Sequence, residues 1–515
     1  MVVRHSHGEI RPAGQFKLPG APTPKRARIV ALKEDSAGDN LTAPVQQSSS
    51  GLAFMFPTLQ NANDRLPISP ATVQGLIDLA AAMADPAEGI VDQTSDIPAV
   101  YTYFGQFLDH DISKIEALPG ALDPNLRAAA AKGLMTDPLN QLENQRLAPL
   151  DLDSVYTKAP EDQGNSGKLR LGKVSPNPIG PQFAVPGKDP ENDLPRNPRS
   201  SDEKFDRSAQ IGDERNDENL IVAQLHVAFL RAHNALVVKH GDRLKAREEL
   251  TRLYHEIVFT DFLPRIADLS VLNKVLTSGR SFWNPANLAD VPLEHAGAAY
   301  RFGHSMVRGS YDFNLNFGRN GKLIAPATRF DLLFVFTALS GQLGNAQLVE
   351  TDTLPDNWII DWSRVAVTEM ARPIDTIISP AMGDLRDLKG NPLTGGMQFL
   401  AERNLLRGYV FGLPTGQAVA QAIGAPALKG EALLDALPPG QRDAAEMFKD
   451  ASPLWFYILA EAGANGGKLG VVGSTIVIET LHALTEATGH PIPAAPVQGP
   501  SGRLLDLLAL SGNFP

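Results

Sequence analysis

The stretch Phe104-Gly-Gln-Phe-Leu-Asp-His-Asp111 decides how the rest of this chain is interpreted. An apolar and aromatic run precedes it, and the combined pattern predicts a helix. On a helix, Gln106 and His110 are four residues apart and share one face. Asp109 and Asp111 then flank the histidine at about 100° on either side. One helix would present an imidazole and an amide to one space and carboxylates to two neighbouring spaces, although this short motif alone fits a structural helix equally well.

Composition limits the possible functions of the 515 residues. With 43% hydrophobic and 20% charged residues, the chain has the make-up of a soluble globular protein. The formal net charge of −11 argues against nucleic-acid binding and gives no attraction to anionic membranes. The chain has no cysteine, which excludes disulfides, thiolate zinc sites, cysteine-ligated iron–sulfur clusters and cysteine nucleophiles.

The N-terminal residues and the apolar segments of the chain give further expectations. Residues 1–50 are rich in Pro, Gly, Ser, Lys and Arg without periodicity, which predicts a flexible extension before a single large domain over 51–515. No apolar core of a secretory signal follows Met1, so we expect a cytoplasmic protein or one exported by a non-classical route. No uninterrupted apolar segment approaches transmembrane length. His5 and His7 lie in the extension and are not expected to form a metal site.

Helical patterns dominate the remainder of the chain. Ser69 and Pro70 are an N-cap and a first helical residue. Further predicted helices cover 211–238, 246–261, 298–307, 330–339, 400–409, 452–462 and 469–487. Strand signals are few, so the predicted fold is mainly α with long ordered loops and little β-structure. His226 and His233, on one face of the 211–238 helix, are interpreted as hydrogen-bonded core histidines because no third metal ligand is nearby.

Four separated motifs in a fixed order provide a family resemblance. They are Gly105–Asp111, Gly212–Glu218, Tyr300–His304, and Asn404–Arg407 followed by Gly412–Pro414. This order resembles the animal-type haem peroxidases, in the peroxidase–cyclooxygenase superfamily that includes myeloperoxidase, and in particular their bacterial members. With softer matches the resemblance spans residues from about 90 to 510. It implies that 51–515 is one haem peroxidase catalytic domain that binds haem b.

The resemblance implies that His110, Arg215 and Gln106 form the distal, peroxide-facing group. His110 matches the distal histidine, which would take a proton from one oxygen of H2O2 and return it to the leaving oxygen. Gln106 would hold the peroxide or a water molecule by a hydrogen bond. Arg215 matches the distal arginine, whose fixed positive charge would stabilise the charge that develops as the O–O bond breaks.

On the proximal side, His304 matches the axial ligand of the haem iron. Asn404 matches the asparagine whose side-chain oxygen accepts a hydrogen bond from Nδ1 of that histidine, which orients the ring and raises its basicity. Arg301 and Arg407 match residues that pair with the haem propionates.

Two carboxylates match residues that form ester bonds to haem methyl groups in mammalian relatives. They are Asp109 and Glu218, so the resemblance implies that the haem can be ester-linked. The mammalian relative with a third, sulfonium link has a methionine directly after the second carboxylate. This chain has Asn219 there, and we expect no sulfonium link.

Calcium is also implied by the resemblance. Asp111 matches the calcium aspartate beside the distal histidine, and Asp151 and Asp153 match ligands in a partner loop. Oxygen ligands of this kind suit Ca2+. The family has a threonine at the position of Leu147, which offers only a backbone carbonyl, and Asp153 replaces a serine.

Three functions follow from the resemblance. A peroxidase would let H2O2 oxidise the iron to a ferryl state and would recover the electrons from a small donor such as a halide, thiocyanate or a phenol. A fatty-acid dioxygenase of the same superfamily would carry a tyrosine three residues before the proximal histidine. Arg301 occupies that position, and Tyr300 would point about 100° away on a helix. The third alternative is a non-enzymatic haem-binding or adhesive relative, against which the joint presence of the distal and proximal residues argues. The sequence leaves the oligomeric state open.

Overall fold

A computed structural model gives the structure of the chain. It describes residues 50–84, 94–146, 148–157, 159–160, 162, 166–176, 190–202, 205–318, 322, 333–334, 337, 351–383, 393–493, 503–512 and 514. The predicted extension at 1–50 lies outside the described residues except for Ser50. Leu147 and most of the predicted 330–339 helix lie outside them as well.

Helices make up most of the ordered structure, as the sequence predicts. The α-helices of the described residues, numbered in chain order, are α1 (Pro70–Met83), α2 (Val100–Ile112), α3 (Leu126–Lys132), α4 (Pro138–Gln141), α5 (Asp153–Tyr156), α6 (Leu220–His240), α7 (Arg243–Ile257), α8 (Leu263–Ile266), α9 (Leu269–Ser278), α10 (Leu293–Gly297), α11 (Leu400–Val410), α12 (Gly416–Ala422), α13 (Glu431–Asp435), α14 (Arg442–Ala445), α15 (Leu454–Ala464), α16 (Val471–Glu486) and α17 (Arg503–Leu510). The prediction of a mainly α fold in one large domain is confirmed.

Short 3-10 and π turns and two small sheets connect these helices. The 3-10 turns are Pro57–Leu59, Glu214–Asp217, Ala299–His304, Asp356–Trp358, Pro380–Met382, Pro439–Gln441 and Glu446–Phe448, and the π turns are Val258–Phe262 and Arg364–Thr368. The strands are β1 (Leu52–Ala53), β2 (Ile115–Ala117), β3 (Leu142–Asn144) and β4 (Val291–Pro292). β1 pairs in parallel with β4, and β2 pairs with β3 in antiparallel register.

The core is organised around α6, which packs against α2, α7 and α17. Its N-cap is Asn219, whose side chain accepts a hydrogen bond from the backbone N–H of Val222. Phe107 of α2 stacks on Phe229 of α6 with ring centroids 4.6 Å apart. By length and composition α6 could cross a membrane, but 78% of its most apolar stretch is buried within the protein. The helix is therefore accounted for as the core helix of the domain.

Three predicted helices differ from the structure. The predicted 211–238 helix begins only at Leu220, because Glu214–Asp217 forms a 3-10 turn and Asn219 is the N-cap of α6. The predicted 298–307 helix is instead the six-residue 3-10 turn Ala299–His304, in which residues three apart eclipse each other. That spacing places Arg301 and His304 on the same side of the turn. The predicted 246–261 helix does not end before Pro264, because the π turn Val258–Phe262 carries α7 directly into α8.

The start of α1 is as the sequence predicts. The Ser69 side chain accepts a hydrogen bond of 3.0 Å from the backbone N–H of Thr72, and Pro70 is the first helical residue. Proline is favoured there because its missing N–H would have no partner within the helix.

Replacing this cap tests its contribution to stability. We expect Ser69→Ala to lower the free energy of unfolding by about 1 kcal/mol, because one N–H of the first turn loses its partner. Ser69→Asp keeps an acceptor and should unfold at nearly the same denaturant concentration as the wild type. Equal losses in both variants, measured by denaturant unfolding, would show that the cap contributes nothing.

Candidate active site

A cleft separates α2 from the 3-10 turn Ala299–His304. Its α2 wall is lined by Tyr101, Thr102, Tyr103, Gly105, Gln106 and Asp109, and its opposite wall by Tyr300, Arg301, Phe302, Gly303 and His304. Asn219, Ala296, Met306, Val307 and Met382 complete the lining. Two of the four sequence motifs therefore face each other across one space.

On the α2 wall, a polar network fixes Gln106. Its amide nitrogen donates to Glu218 at 3.2 Å, and its oxygen accepts from the Asn219 amide at 3.0 Å. Asp109 is not part of this network. Its Oδ1 accepts a hydrogen bond of 2.6 Å from the hydroxyl of Ser113, one helical turn later. Glu218 is fully buried, whereas Asp109 lies at the cleft surface.

His110 is fully buried and its ring is anchored from behind α2. Its Nδ1 lies 2.9 Å from Oδ1 of Asn216, and the amide nitrogen of Asn216 lies 3.0 Å from Nδ1 of His226. Burial lowers the pKa of His226 to about 3, so this second ring is neutral. The prediction that His226 is a hydrogen-bonded core residue agrees with this contact, and its partner connects it to the distal motif.

Arg215 lies beneath the carboxyl end of α2. Its guanidinium makes a bidentate pair with Asp213, at 2.9 and 2.8 Å, and its Nη2 also donates to the backbone carbonyls of His110 and Ser113 at 3.2 and 2.8 Å. Burial alone would raise the pKa of Asp213, but Arg215 and Arg146 hold that pKa well below its usual range. The charge of Arg215 is thus directed at Asp213 and at the backbone of α2.

Across the cleft, His304 is held by a side chain of α11. Its Nδ1 lies 2.9 Å from the side-chain amide nitrogen of Asn404 on α11, and Asn404 Oδ1 has no hydrogen-bond partner among the described residues. A half-turn of the amide would place this oxygen on Nδ1 instead, where it could accept a proton of the ring. The neighbouring backbone is held by Trp455, whose indole N–H donates to the carbonyl of Arg301 at 3.1 Å.

A half-buried cation, Arg301, borders the same space. Burial lowers the pKa of Arg301 to about 10; Arg403 and Arg215 add to this effect, and Asp109 opposes it. The Nε of Arg301 has no hydrogen-bond partner among the described residues. Arg407 lies on α11, about one helical turn after Asn404, and is fully buried. This wall can accept an anionic group.

Tyr300 also lines the cleft, together with Arg301 and His304. On a 3-10 turn, with three residues per turn, neighbouring side chains such as those of Tyr300 and Arg301 point about 120° apart. The Tyr300 ring stacks on His295 with centroids 4.8 Å apart, and burial raises the pKa of Tyr300 well above its ordinary value.

The three predicted calcium residues lie near each other, but their carboxylates accept hydrogen bonds or form ion pairs with other groups of the protein. Asp111 accepts backbone N–H bonds from Leu152 at 3.1 Å and Ser154 at 2.8 Å. Asp153 accepts from Arg146 at 2.6 Å, and Asp151 lies 3.4 Å from Arg247. Among the described residues no group of three His, Asp or Glu side chains is arranged to hold a metal ion. In this arrangement the three carboxylates are paired with protein donors.

The structure thus separates the residues predicted to surround the haem. Gln106, Asp109, Arg301 and His304 line the cleft, and Asn404 supports His304 from behind. The buried residues that are not part of this lining are His110, Arg215, Glu218 and Arg407. Sequence reasoning missed the roles of Asn216, Asn219 and Tyr300, although Asn216 directly follows Arg215 within a motif that was recognised.

Comparison with known proteins identifies the family. The family model described as animal haem peroxidase matches residues 122–487, more than half of the 515 residues. The chain belongs to the animal haem peroxidase family. The α2 helix with its Gln106–Asp111 motif lies before the matched range.

Individual relatives are distant. The chain is 24% identical over 253 residues to "Peroxidase mlt-7" of Caenorhabditis elegans, covering 40% of this chain and 33% of that protein. It is 31% identical over 119 residues to "Chorion peroxidase" of Aedes aegypti, covering 20% and 15%. The chain therefore spans a third or less of the length of these relatives. Peroxidase A from Dictyostelium discoideum has the same fold, with a TM-score of 0.51, 16% identity, and 87% and 86% of the two chains covered.

The Arg215–Asp213 pair gives a prediction for stability. Asp213→Asn leaves the buried guanidinium without its counter-charge, and we expect a loss of about 3–5 kcal/mol in the free energy of unfolding at pH 7. The matched control is Glu214→Gln, which removes the more exposed pair with Lys114 and should cost about 1 kcal/mol or less.

The same variant has a defined pH dependence. A carboxyl whose folded pKa is depressed stabilises the fold above its unfolded pKa, and that stabilisation is lost as the pH falls. The difference between wild type and Asp213→Asn, measured by denaturant unfolding, should therefore shrink below about pH 4. A difference that stays constant to pH 2.5 would contradict the ion-pair assignment.

Proposed function

We propose that this protein is a haem peroxidase that reduces H2O2 and oxidises a small donor such as a halide, thiocyanate or a phenol. The observation that carries the proposal is the single cleft lined on one wall by Gln106 and Asp109 and on the other by His304 and Arg301. Family membership supplies the cofactor class, and the residues of the cleft fit it. The bacterial origin rests on the sequence resemblance alone and stays a prediction.

The fit to haem rests on three features of the cleft. His304 offers an imidazole whose Nδ1 lies 2.9 Å from the Asn404 amide. With that amide turned so that its oxygen accepts from Nδ1–H, Nε2 carries no proton and can serve as an axial ligand. Arg301 offers a half-buried positive charge at the cleft wall, suited to a propionate. We assign Arg407, on α11 with Asn404, to the same role. The haem, when bound, supplies the iron that accepts oxidising equivalents from H2O2.

The chain's own residues would handle the proton and the peroxide. We assign His110 as the base that takes a proton from H2O2 and later releases it to the leaving oxygen. Gln106 is held by Glu218 and Asn219, so its amide has a fixed direction at the cleft wall. Arg215 would contribute positive charge from below α2 and would fix the backbone of His110.

Covalent attachment is a separate part of the proposal. Asp109 lies at the cleft surface, as a carboxylate that forms an ester with a haem methyl group must. Glu218 is buried next to Gln106 and would need to exchange that hydrogen bond for an ester. Acid–organic extraction separates the possibilities: haem that stays with the wild type but extracts from Asp109→Asn or Glu218→Gln is ester-linked.

A fatty-acid dioxygenase is the second candidate, and Tyr300 is the observation that favours it. This tyrosine lines the cleft four residues before His304, not at the position three before it that dioxygenase relatives use. Oxygen consumption with a fatty acid, abolished in Tyr300→Phe and independent of added donor, would favour the dioxygenase. A non-enzymatic haem-binding or adhesive relative is the third, and absence of any reaction with H2O2 in the haem-loaded protein would favour it.

Calcium at Asp111, Asp151 and Asp153 stays a prediction from the resemblance. Binding would require Asp111 to exchange its N–H bonds from residues 152 and 154 for the ion. If the loop binds calcium, Ca2+ should raise the melting temperature of the wild type but not of Asp111→Asn. Equal melting temperatures in Ca2+ and in a chelator would exclude the site. A cytoplasmic or non-classically exported location also stays a prediction.

Removing the proposed axial ligand tests the assignment of the cleft. We expect His304→Ala to lose the Soret band of the purified protein, or to hold haem that no longer shifts its spectrum with H2O2, because the iron loses its ligand. The measurement is an absorption spectrum before and after peroxide addition.

The matched control for this variant is His233→Leu, another buried histidine, on α6 and bonded to Tyr156 instead. It should retain the Soret band and the response to peroxide. A His304→Ala protein with full peroxide response would remove His304 from the axial position.

Arg215 gives the complementary prediction on the distal side. We expect Arg215→Ala to keep haem but to react with H2O2 about 10²–10³-fold more slowly, the usual effect of losing one charge-stabilising donor. Arg215→Lys retains the charge and the pair with Asp213 and should lose less. The rate of the peroxide-induced spectral change in stopped flow is the measurement, and an unchanged rate in Arg215→Ala would remove Arg215 from the distal group.

A further inference from the structure

A hydrogen-bonded chain connects His110 to a second buried imidazole. Oδ1 of Asn216 lies 2.9 Å from Nδ1 of His110, and Nδ2 of Asn216 lies 3.0 Å from Nδ1 of His226. All three side chains are fully buried, and they come from three elements: α2, the 3-10 turn Glu214–Asp217, and α6. Since each contact depends on a different element, the chain is a product of the tertiary fold.

We propose that Asn216, oriented by His226, is a positioning residue that keeps the Nδ1 proton on His110 and so leaves Nε2 as the ring's proton acceptor. The inference rests on the proposed peroxidase function, in which that nitrogen would receive the proton of H2O2. It concerns residues that the sequence motifs left without a role.

The polarity of an amide makes this assignment specific. An amide oxygen can only accept and an amide nitrogen can only donate, so Oδ1 facing His110 requires a proton on Nδ1 of that ring. The reversed amide would donate to Nδ1, force the proton onto Nε2 and remove the base. Only the first orientation also serves the doubly protonated ring, which donates from both nitrogens. It is therefore compatible with both protonation states of a proton-transfer cycle.

His226 is the partner of the other end of the Asn216 amide, with Nδ1 3.0 Å from Nδ2. Burial lowers the pKa of His226 to about 3, so the ring is neutral, and with its proton on Nε2 its Nδ1 accepts from Asn216. The ring is itself fixed by an edge-on contact with Phe107 of α2, with centroids 6.0 Å apart. Turning the Asn216 amide would place two donors or two acceptors against each other unless His226 changed its tautomer as well.

Charged groups surround His110 on each packed element. Asp109 and Asp111 are its neighbours on α2, Asp213 and Arg215 lie on the segment that carries Asn216, and Glu218 lies just before α6. Asp213 and Arg215 pair with each other, so their fields at the ring partly cancel. A change at Asn216 alters none of these pairs, which isolates its effect on the ring.

The tautomer can be measured directly on the haem-free chain. In histidine-selective 15N spectra, we expect the wild-type His110 ring to show a protonated Nδ1 and an unprotonated Nε2 at neutral pH, assigned by loss of the signal in His110→Gln. Asn216→Leu removes the acceptor and should shift His110 towards the Nε2-protonated tautomer. Asn216→Asp keeps an acceptor and should retain the Nδ1 proton. This readout does not depend on catalysis.

Kinetics on the haem-loaded protein give the second readout. We expect Asn216→Leu to slow the peroxide-induced Soret change about 10- to 100-fold, the usual effect of losing a partner that orients a functional histidine. The pH of the half-maximal rate should fall in Asn216→Leu, and it should rise by about one unit in Asn216→Asp, because a carboxylate stabilises the protonated ring. A purely structural defect would not move the two profiles in opposite directions.

His233→Leu is the matched control, since it removes a buried hydrogen-bonded histidine from the same helix. It should leave the His110 tautomer and the pH profile unchanged. The proposal is overturned if the wild-type ring carries its proton on Nε2, or if both Asn216 variants keep the wild-type tautomer and pH profile. If Asn216→Leu does not fold, Asn216→Asp decides alone through its tautomer and its shifted profile. A wild type without any peroxide response would overturn the proposed function, while the 15N spectra would still decide the role of Asn216.

Discussion

The arrangement of the candidate site depends on one buried cation at the carboxyl end of α2. The last carbonyls of an α-helix have no partner within the helix, and Arg215 donates to those of His110 and Ser113. Asp213 balances the charge in the same 3-10 segment, so the arginine can be buried without a large electrostatic cost. Asn216, the next residue, reaches the ring of His110. One short turn thus fixes both the backbone and the imidazole of the residue assigned as the base.

The opposite wall is built by other means. Side chains from two distant helices hold the 3-10 turn Ala299–His304. Trp455 of α15 bonds the carbonyl of Arg301, and Asn404 of α11 bonds the ring of His304. The walls of the cleft come from segments nearly 200 residues apart in the chain, so their spacing is set by the packing of the whole domain around α6.

Sequence reasoning succeeded where the information is local and failed where it is not. The capped start of α1 and the helix carrying Gln106 and His110 follow from periodicity and capping residues, which depend on neighbours in sequence. The direction of the Arg215 side chain could not be predicted, because it depends on the carbonyl end of α2 about 100 residues earlier. The segment that carries Tyr300 was predicted as an α-helix and is a 3-10 turn, because tertiary contacts make the choice between the two. His226 could be predicted as hydrogen-bonded, but its partner could not, since Asn216 has no signature that separates it from a surface asparagine.

The charges around the cleft indicate how folding and cofactor binding are coupled. Arg301 is half-buried, and its partial loss of hydration lowers its pKa, whereas the carboxylate of Asp109 opposes this effect. An anion that binds beside Arg301 replaces part of that hydration, so it stabilises the folded state. If Asp109 became an ester, its charge would be lost and Arg301 would depend on that anion alone. Covalent attachment and propionate binding would then support each other. The ester would remove the charge of Asp109, and the propionate would supply a negative charge to Arg301 in its place.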